Sequence, residues 1–403
     1  NQLLRHYQLL DRDMRVVFFK YLGQVLKPDP DQVNAAVAAY EAEPREANLL
    51  RLQEAVDTPR QEYYRRDNIA PGATAQIVQM RTELLDFIRE EPSLQPIDRD
   101  LFHLLQSWFN RGFLVLRRID WQTPASILEK IIEYEAVHEI DGWVDLRRRL
   151  NPADRRCFGF FHPSLIDEPL IFVEVALTDH VAEDIQSLLA PAAPSKAGDG
   201  PLPTTAVFYS ISNCQDGLRG VSFGNFLIKQ VVDELKKEFD SLKTFVTLSP
   251  VPRFAGWLEA VRKGEMSNGL DLSGAERAVL RRLDEPLWWE QREEDEELRD
   301  LVMALAAHYF LDAKGPTGRP VDPVARFHLG NGARLEKINW LADTSIRGLK
   351  QSHGLMVNYL YDPREIEANH EAFANLGQIA ASRQVRNLER TRGRRGVKTQ
   401  TTS

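Results

Sequence analysis

The stretch that decides the fold runs from Tyr209 to Phe254 and reads YSISNCQDGLRGVSFGNFLIKQVVDELKKEFDSLKTFVTLSPVPRF. Apolar and β-branched residues at its start predict a strand, and the closely spaced glycines that follow predict a turn. From Asn225 to Phe239 apolar residues recur every three or four positions, which predicts an amphipathic helix. A second strand follows and ends at Ser249. The order is therefore strand, glycine-bearing loop, helix, strand.

This order points free backbone N–H groups and the positive end of the helix toward a phosphate group. The glycines fit neither G-x-G-x-x-G nor G-x-x-x-x-G-K-[ST], so a dinucleotide site and a P-loop are both disfavoured. The loop resembles the acetyl-CoA site of GNAT-type acetyltransferases, whose Arg/Gln-x-x-Gly-x-Gly/Ala loop holds the CoA diphosphate. The matching residues are Arg219, Ser222 and Gly224, with Ser222 in place of the usual middle glycine. A glycine-rich turn of no special purpose is the alternative.

Upstream of this stretch the chain changes character. From Asn1 to about Gly112 the apolar patterns are helical, as in AQIVQMRTELLDFIREE, and proline-bearing breaks separate them. These patterns predict an all-helical bundle as a first domain, residues 1–112, with a scaffolding or oligomerisation role and no chemistry of its own.

Residues 113–403 are predicted to form the second domain. Strand patterns occur in GFLVLRRIDW, PLIFVEVAL, TTAVFYSIS, KTFVTLS and GLMVNYLY, with helical segments between them. The predicted fold class is therefore α+β: an N-terminal all-helical bundle followed by a GNAT-like α/β domain with a mixed central sheet.

Composition excludes several kinds of partner. The 403 residues carry a net charge of −8, which argues against a nucleic-acid binder, because phosphate-backbone affinity needs clustered cations. No apolar run approaches the roughly 18–20 residues that span a bilayer, so no membrane partner is expected. Two cysteines, Cys157 and Cys214, are too few for a disulfide framework and favour a reducing compartment. We expect the cytoplasm, or the mitochondrial matrix if a leader has been removed.

Five long segments together resemble the malonyl-CoA decarboxylase family, and the resemblance covers most of the chain. They are SWFNRGFLVLRRIDWQTPASILEKIIEYEAVHEI, LRRRLNPADRRCFGFFHPSLIDEPLIFVEVALT, GLRGVSFGNFLIKQVVDELKKEF, LSPVPRFAGWL and RFHLGNGARLEKINWLADTSIRGLKQSHGLMVNYLY, in this order. The resemblance implies a helical N-terminal domain, a GNAT-like catalytic domain and cleavage of malonyl-CoA to acetyl-CoA and CO2 without metal or biotin. It also implies a homo-oligomer, often a tetramer.

The same resemblance assigns site residues. The family's catalytic serine and histidine match Ser249 and His328, and a further active-site tyrosine matches Tyr361. The malonyl-CoA-binding loop matches Arg219, Gly220, Val221, Ser222, Phe223, Gly224 and Asn225. The family can carry an acidic residue where this chain has Ser222, so no role of such a carboxylate is carried over.

The chemistry suits these residue types. Decarboxylation leaves a thioester enolate, which needs hydrogen-bond donors at its oxygen, a carboxylate stripped of water, and an acid for its carbon. Ser249, held extended by the following proline, can orient the carboxylate. His328 can protonate the carbon, because the unperturbed pKa of histidine is about 6.5. Tyr361, on the same strand face as Tyr359 by alternation, can order the histidine or the enolate.

Taken alone, these residues leave simpler interpretations open. They are a Ser-Pro loop start at Ser249, a histidine packed beside Phe327, and a core tyrosine. Two other functions also remain: a GNAT-type acyltransferase that delivers its acyl group to an amine, and a non-catalytic CoA-binding sensor. Arg347 and Lys350 are interpreted as surface cations. The histidines at 138, 162 and 353 have no partners at metal-ligand spacing, so no metal site is predicted.

Overall fold

The first part of the chain is a series of helices. The computed structural model describes residues 2–109, 111–190, 202–221, 227–265, 270–291, 295–316 and 318–390. Seven α-helices precede the first strand, as the sequence predicts: α1 Gln2–Leu9, α2 Arg12–Val25, α3 Pro30–Ala42, α4 Glu46–Val56, α5 Pro59–Asp67, α6 Ala73–Glu90 and α7 Gln95–Trp108. No helix in the described ranges is both long enough and apolar enough to cross a membrane.

The second part is built on a mixed sheet. Its strands are β1 Val115–Ile119, β2 Arg155–His162, β3 Leu165–Thr178, β4 Thr205–Asn213, β5 Thr244–Thr247, β6 Ser249–Pro250, β7 Arg334–Asn339 and β8 Met356–Leu360. The first five lie side by side in chain order, β8 follows β5, and both β6 and β7 pair with β8. Only the β4–β5 pair is parallel. The predicted α+β class with a mixed sheet is confirmed.

Ten further α-helices cover this sheet. They are α8 Ala125–Tyr134, α9 Gly142–Leu150, α10 Ile185–Leu189, α11 Leu227–Glu238, α12 Phe254–Lys263, α13 Gly274–Leu280, α14 Glu296–Leu311, α15 Pro323–Gly330, α16 Ile346–Ser352 and α17 Ile366–Leu376. The described part of the predicted helix Asn225–Phe239 is α11, and Asn225 itself lies outside the described residues. Helices α8 and α9 share one apolar cluster with Phe161 and Phe172, whereas α11, α12 and α14 share another with Phe160 and Val173. Neighbouring residues on each strand therefore face different helices, because side chains alternate across a sheet.

The parallel pair separates at the site that the sequence singles out. Strands β4 and β5 stay in register up to Phe208 and Thr247, and the Leu248 N–H still donates to the Phe208 carbonyl. Beyond that point β4 continues beside β3 alone, while Ser249 pairs with Val357 of β8. Ser249 therefore stands where the sheet divides, with its backbone held from the β8 side.

The helical part is joined to the loop that follows β4. Arg81 of α6 is only 3% exposed, and its Nε lies 2.7 Å from Asp98 Oδ1. The same guanidinium donates to the carbonyls of Gly217, at 2.7 Å, and Arg219, at 3.1 Å. Gly217 leaves no room for a side chain, since a Cβ there would lie 2.0 Å from the Val78 carbonyl oxygen. The sequence interpretation of the helices as a scaffold without a role near the loop missed this contact.

Replacing Arg81 by methionine tests the contact. Arg81→Met removes the ion pair and leaves two carbonyls without their donor, so we expect a loss of about 2–4 kcal/mol in the free energy of unfolding. Amides 218–221 should also exchange faster with deuterium. Urea unfolding and hydrogen–deuterium exchange measure the two effects.

Arg89→Met is the matched control, because Arg89 lies on the same helix with a side chain that is 70% exposed. Equal exchange of the 218–221 amides in both variants would show that Arg81 does not hold the loop.

Candidate active site

His328 lies in the last turn of α15 rather than in an open loop. The helix starts with Pro323 behind the capping residue Asp322, whose carboxylate accepts from the Ala325 N–H. It ends at the pair Asn331–Gly332. Gly332 has a φ of 81°, and a Cβ there would lie 2.0 Å from the Ile366 carbonyl oxygen, so only glycine fits. This end of the helix directs the imidazole toward the sheet.

Three predicted catalytic residues meet at this point. Ser249 Oγ lies 3.0 Å from His328 Nε2, and the Tyr361 hydroxyl lies 2.8 Å from His328 Nδ1. All three side chains are at most 5% exposed. The imidazole also stacks on Tyr359, with ring centroids 4.5 Å apart and planes 23° apart. The predicted face shared by Tyr359 and Tyr361 is confirmed, since both rings contact His328.

Hydrogen bonds around Ser249 determine where the protons lie. The Ser249 hydroxyl donates to Thr247 Oγ1 at 2.8 Å, and Thr247 Oγ1 also accepts from the Tyr359 N–H at 3.1 Å. With its own proton directed at Thr247, Ser249 Oγ accepts from His328, so the imidazole carries its proton on Nε2. Nδ1 then accepts from the Tyr361 hydroxyl. A directed chain results, from Tyr361 through His328 and Ser249 to Thr247.

Burial keeps this chain of groups uncharged. It lowers the pKa of His328 to about 3, because an imidazolium in a dry site loses its hydration. Burial also raises the pKa of the Tyr361 phenol. An ordinary histidine has a pKa of about 6.5, whereas the buried imidazole of His328 is neutral at neutral pH.

A cleft of about 530 Å³ is lined in part by the C-terminal end of α15, the helix that carries His328. Arg219, Gly220 and Val221 form part of one wall, and Phe327 and Asn331, neighbours of His328, form part of another. We call this space the loop cleft. The other predicted loop residues, Ser222, Phe223, Gly224 and Asn225, lie outside the described residues. The structure therefore brings the described part of the predicted CoA loop and the histidine's helix to one cavity.

Some lining residues were not predicted. Arg319 and Arg326 also line the loop cleft, and Arg326 donates to the Pro320 and Val321 carbonyls. Their signal in the sequence is the pair of arginines just before His328, which we did not interpret. Asn331 donates from Nδ2 to the Phe327 carbonyl at 2.8 Å, the structural role expected for it.

One group of possible metal ligands also escaped the sequence analysis. In the part of the chain that the structure describes, His308, Asp312 and Glu389 place one ligand atom each within 4.8 Å of one another. His308 Nδ1 lies 3.5 Å from the Asp312 carboxylate and 3.6 Å from that of Glu389. None of them is among the predicted site residues. That the reaction needs neither metal nor biotin stays a prediction.

The low pKa of His328 predicts that the stability of the fold depends on pH. An unfolded histidine takes up a proton below about pH 6.5, whereas His328 in the fold does not until about pH 3, so acid favours the unfolded chain in this interval. The contribution of His328 to the free energy of unfolding is fully present above its pKa in the unfolded chain. It is lost as the pH falls toward its pKa in the fold. His328→Asn should lose stability less steeply, by up to about 1.4 kcal/mol per pH unit. Urea unfolding at pH 7, 6 and 5 measures the slopes.

His138, His162 and His353 also have their pKa lowered by burial, to about 4 in His138 and His353. They remain in both proteins, so only the difference between the two slopes belongs to His328. Parallel slopes would show that His328 titrates normally in the fold.

Comparison with known proteins gives consistent matches. Residues 26–109 match the family model of the malonyl-CoA decarboxylase N-terminal domain, and residues 112–399 match that of the C-terminal domain. The mitochondrial malonyl-CoA decarboxylase of Rattus norvegicus is 37% identical over 337 residues, 79% of this chain and 68% of that protein. That of Mus musculus is 34% identical over 408 residues, 94% of this chain and 82% of that protein.

Solved structures match over nearly the whole chain. The crystal structure of malonyl-CoA decarboxylase from Rhodopseudomonas palustris is 53% identical with a TM-score of 0.88, covering 96% of this chain and 93% of that one. The corresponding structure from Agrobacterium vitis is 49% identical, also with a TM-score of 0.88, over 96% of this chain and 94% of that one.

Proposed function

The chain belongs to the malonyl-CoA decarboxylase family and is an enzyme of that activity, and from this premise we propose how its residues perform the reaction. Malonyl-CoA is the substrate, and acetyl-CoA and CO2 are the products. In our proposal the loop cleft holds the CoA diphosphate, and the malonyl group reaches Ser249 and His328.

The proposal rests on one observation: α15 contributes residues both to the hydrogen-bonded group around Ser249 and to the loop cleft. His328 points into the buried chain of groups, while Phe327 and Asn331 of the same helix end line the loop cleft opposite Arg219 and Gly220. If the diphosphate of a ligand lies against the loop, the ligand passes the C-terminal end of α15 before its acyl group reaches Ser249. In this proposal the acyl arm enters beside Ser249, where β4 and β5 separate.

The directed hydrogen bonds supply a route for the proton. When the bond to the carboxylate breaks, its electron pair passes into the thioester enolate and CO2 leaves. The Ser249 hydroxyl rotates from Thr247 and gives its proton to the α-carbon, and the Nε2 proton of His328 replaces it. The Tyr361 hydroxyl then donates its proton to His328 Nδ1, so the imidazole stays neutral. Solvent returns a proton to the Tyr361 phenolate when product leaves. In this proposal Ser249 is thus the immediate proton donor, and His328 and then Tyr361 restore its proton.

Neutral groups suffice for this step. The carbon of a thioester enolate is a far stronger base than a phenolate, so a neutral hydroxyl can protonate it. The dry surroundings that keep His328 neutral also strip water from the malonyl carboxylate, and donors fixed in advance cost no reorganisation. No metal is assigned a part in these steps.

Carbon dioxide release from malonyl-CoA, with no acceptor present and a chelator added, tests the reaction. We expect turnover by the unmodified protein under these conditions. His328→Asn and Ser249→Ala should each lower kcat roughly 10²–10⁴-fold, the range for a lost proton donor. Because the two residues act in series, the double variant should lose less than about tenfold beyond the slower single variant.

His353→Asn is the control, because it replaces another histidine, half-buried, at a left-handed position that asparagine accepts. It should keep near-normal turnover. Multiplicative losses in the double variant would mean that Ser249 and His328 act independently, and loss of activity with chelator would reject the metal-free mechanism.

We further propose that the enzyme is a homo-oligomer that uses α2. Met14, Val17, Tyr21 and Val25 recur at helical spacing and lie on one face of α2, and each is between 48% and 59% exposed. A continuous stripe of large apolar side chains is costly to leave in water, and a second copy of the chain presents the same stripe. The number of subunits, expected to be four, is part of this proposal.

Val17→Glu combined with Tyr21→Glu should break the association, because it introduces charges into an apolar contact. Light scattering after gel filtration should show a smaller particle with an unchanged circular dichroism spectrum. Gln122→Glu, an exposed change of charge in the sheet part, should leave the mass unaltered. An unchanged mass for the α2 variant would place the interface elsewhere.

A further inference from the structure

A second large cavity lies beyond the other end of α15. It encloses about 870 Å³ between α12, α16 and the segment that leads into α15. Its lining residues include Arg253, Trp257, Val321, Arg347 and Lys350, and we call it the α12–α16 cavity. Its size is typical of sites that hold a small organic ligand.

The charges around this cavity are all positive. Arg253, Arg347 and Lys350 line it, and no described lining residue is acidic. None of the three cations forms an ion pair with any residue in the described ranges, although acidic residues outnumber basic ones by 59 to 51 in the chain. Three uncompensated cations around one cavity favour an anion that carries more than one charge.

The walls between the cations are apolar. Trp257 is 4% exposed and is fixed by Phe254 and Tyr309, whose ring centroids lie 5.8 Å and 5.0 Å from its own. Val321 lies on another wall, and Ile346 is 88% exposed. A large apolar side chain left this open gains from a partner that covers it. The cavity thus combines a rigid aromatic wall with an uncovered aliphatic side chain.

The substrate as placed above does not occupy this cavity. None of the described residues that line the loop cleft also lines this cavity, although Arg319 of the cleft lies only two residues before Val321 of the cavity. We propose that the α12–α16 cavity binds a second ligand, an organic phosphate with an apolar or aromatic body. The phosphate meets Arg253, Arg347 and Lys350, and the body lies against Trp257 and Ile346. This inference rests on the proposed function, which assigns the loop cleft to CoA.

Calorimetric binding to the intact protein tests the proposal, with two probes used separately: dodecyl phosphate below its micelle concentration and adenosine 3′,5′-bisphosphate. We expect saturable binding of at least one, with a Kd below about 100 μM. Binding of the alkyl probe alone identifies an acyl-like body, and binding of the nucleotide alone identifies a base. Arg347→Glu combined with Lys350→Glu should weaken binding about tenfold or more, because two of three cations are reversed.

The matched control is Arg281→Glu combined with Lys243→Glu, which reverses the same charges at exposed positions outside both cavities. No saturable binding of either probe, or equal weakening in the control, overturns the proposal. The decarboxylation kinetics of the Arg347/Lys350 variant complete the test.

An unchanged KM for malonyl-CoA in that variant supports a separate site. A raised KM for malonyl-CoA with an unaltered KM for malonyl-pantetheine overturns it, because the cations would then hold the nucleotide of the substrate itself. Binding is measured without turnover, so its failure leaves the proposed decarboxylation mechanism standing, and failure of that mechanism leaves the binding result intact.

Discussion

The separation of β4 from β5 after Leu248 is the constraint on which the rest of this structure depends. Up to that point the two strands satisfy each other's backbone groups. Beyond it Ser249 takes its partner from β8, so the strand turns away from β4 without leaving its amides unpaired. Strand β8 also carries Tyr359 and leads to Tyr361, and both tyrosines contact His328. The opening in the sheet and the residues that surround it are thus products of one change of pairing.

Much of this arrangement could be predicted from the sequence. Local patterns specify β4, α11 and the Asn-Gly turn, because turn chemistry and periodicity act over a few residues. Strand β2 reads as an apolar run without alternation, and β7 carries charges along its length, so neither was predicted. The contact of Arg81 with Gly217 joins residues 136 positions apart, and no local pattern reveals it. The pKa of His328 depends on how much water the whole fold excludes, which spacing does not encode.

The neutral state of the active site follows from its packing rather than from its residue types. Histidine, serine, threonine and tyrosine could equally form an exposed and ionised group in another fold. Here Tyr359 covers one side of the imidazole, and hydrogen bonds satisfy both of its nitrogens. In the proposed mechanism the substrate therefore brings the only charge, and the proton transfers pass that charge to Tyr361 and then to solvent. Burial, which keeps the histidine uncharged, is the feature of this site on which the proposed mechanism depends.

The guanidinium of Arg81 joins the helical part of the enzyme to the part that is built on the sheet. Its partners are main-chain carbonyls on the far side of a domain boundary, and the glycine beside them fits against the backbone of α6. The sheet with its covering helices is therefore not a self-sufficient catalytic module. Transplanted alone, it would keep its serine and histidine but lose the support on which the loop after β4 rests.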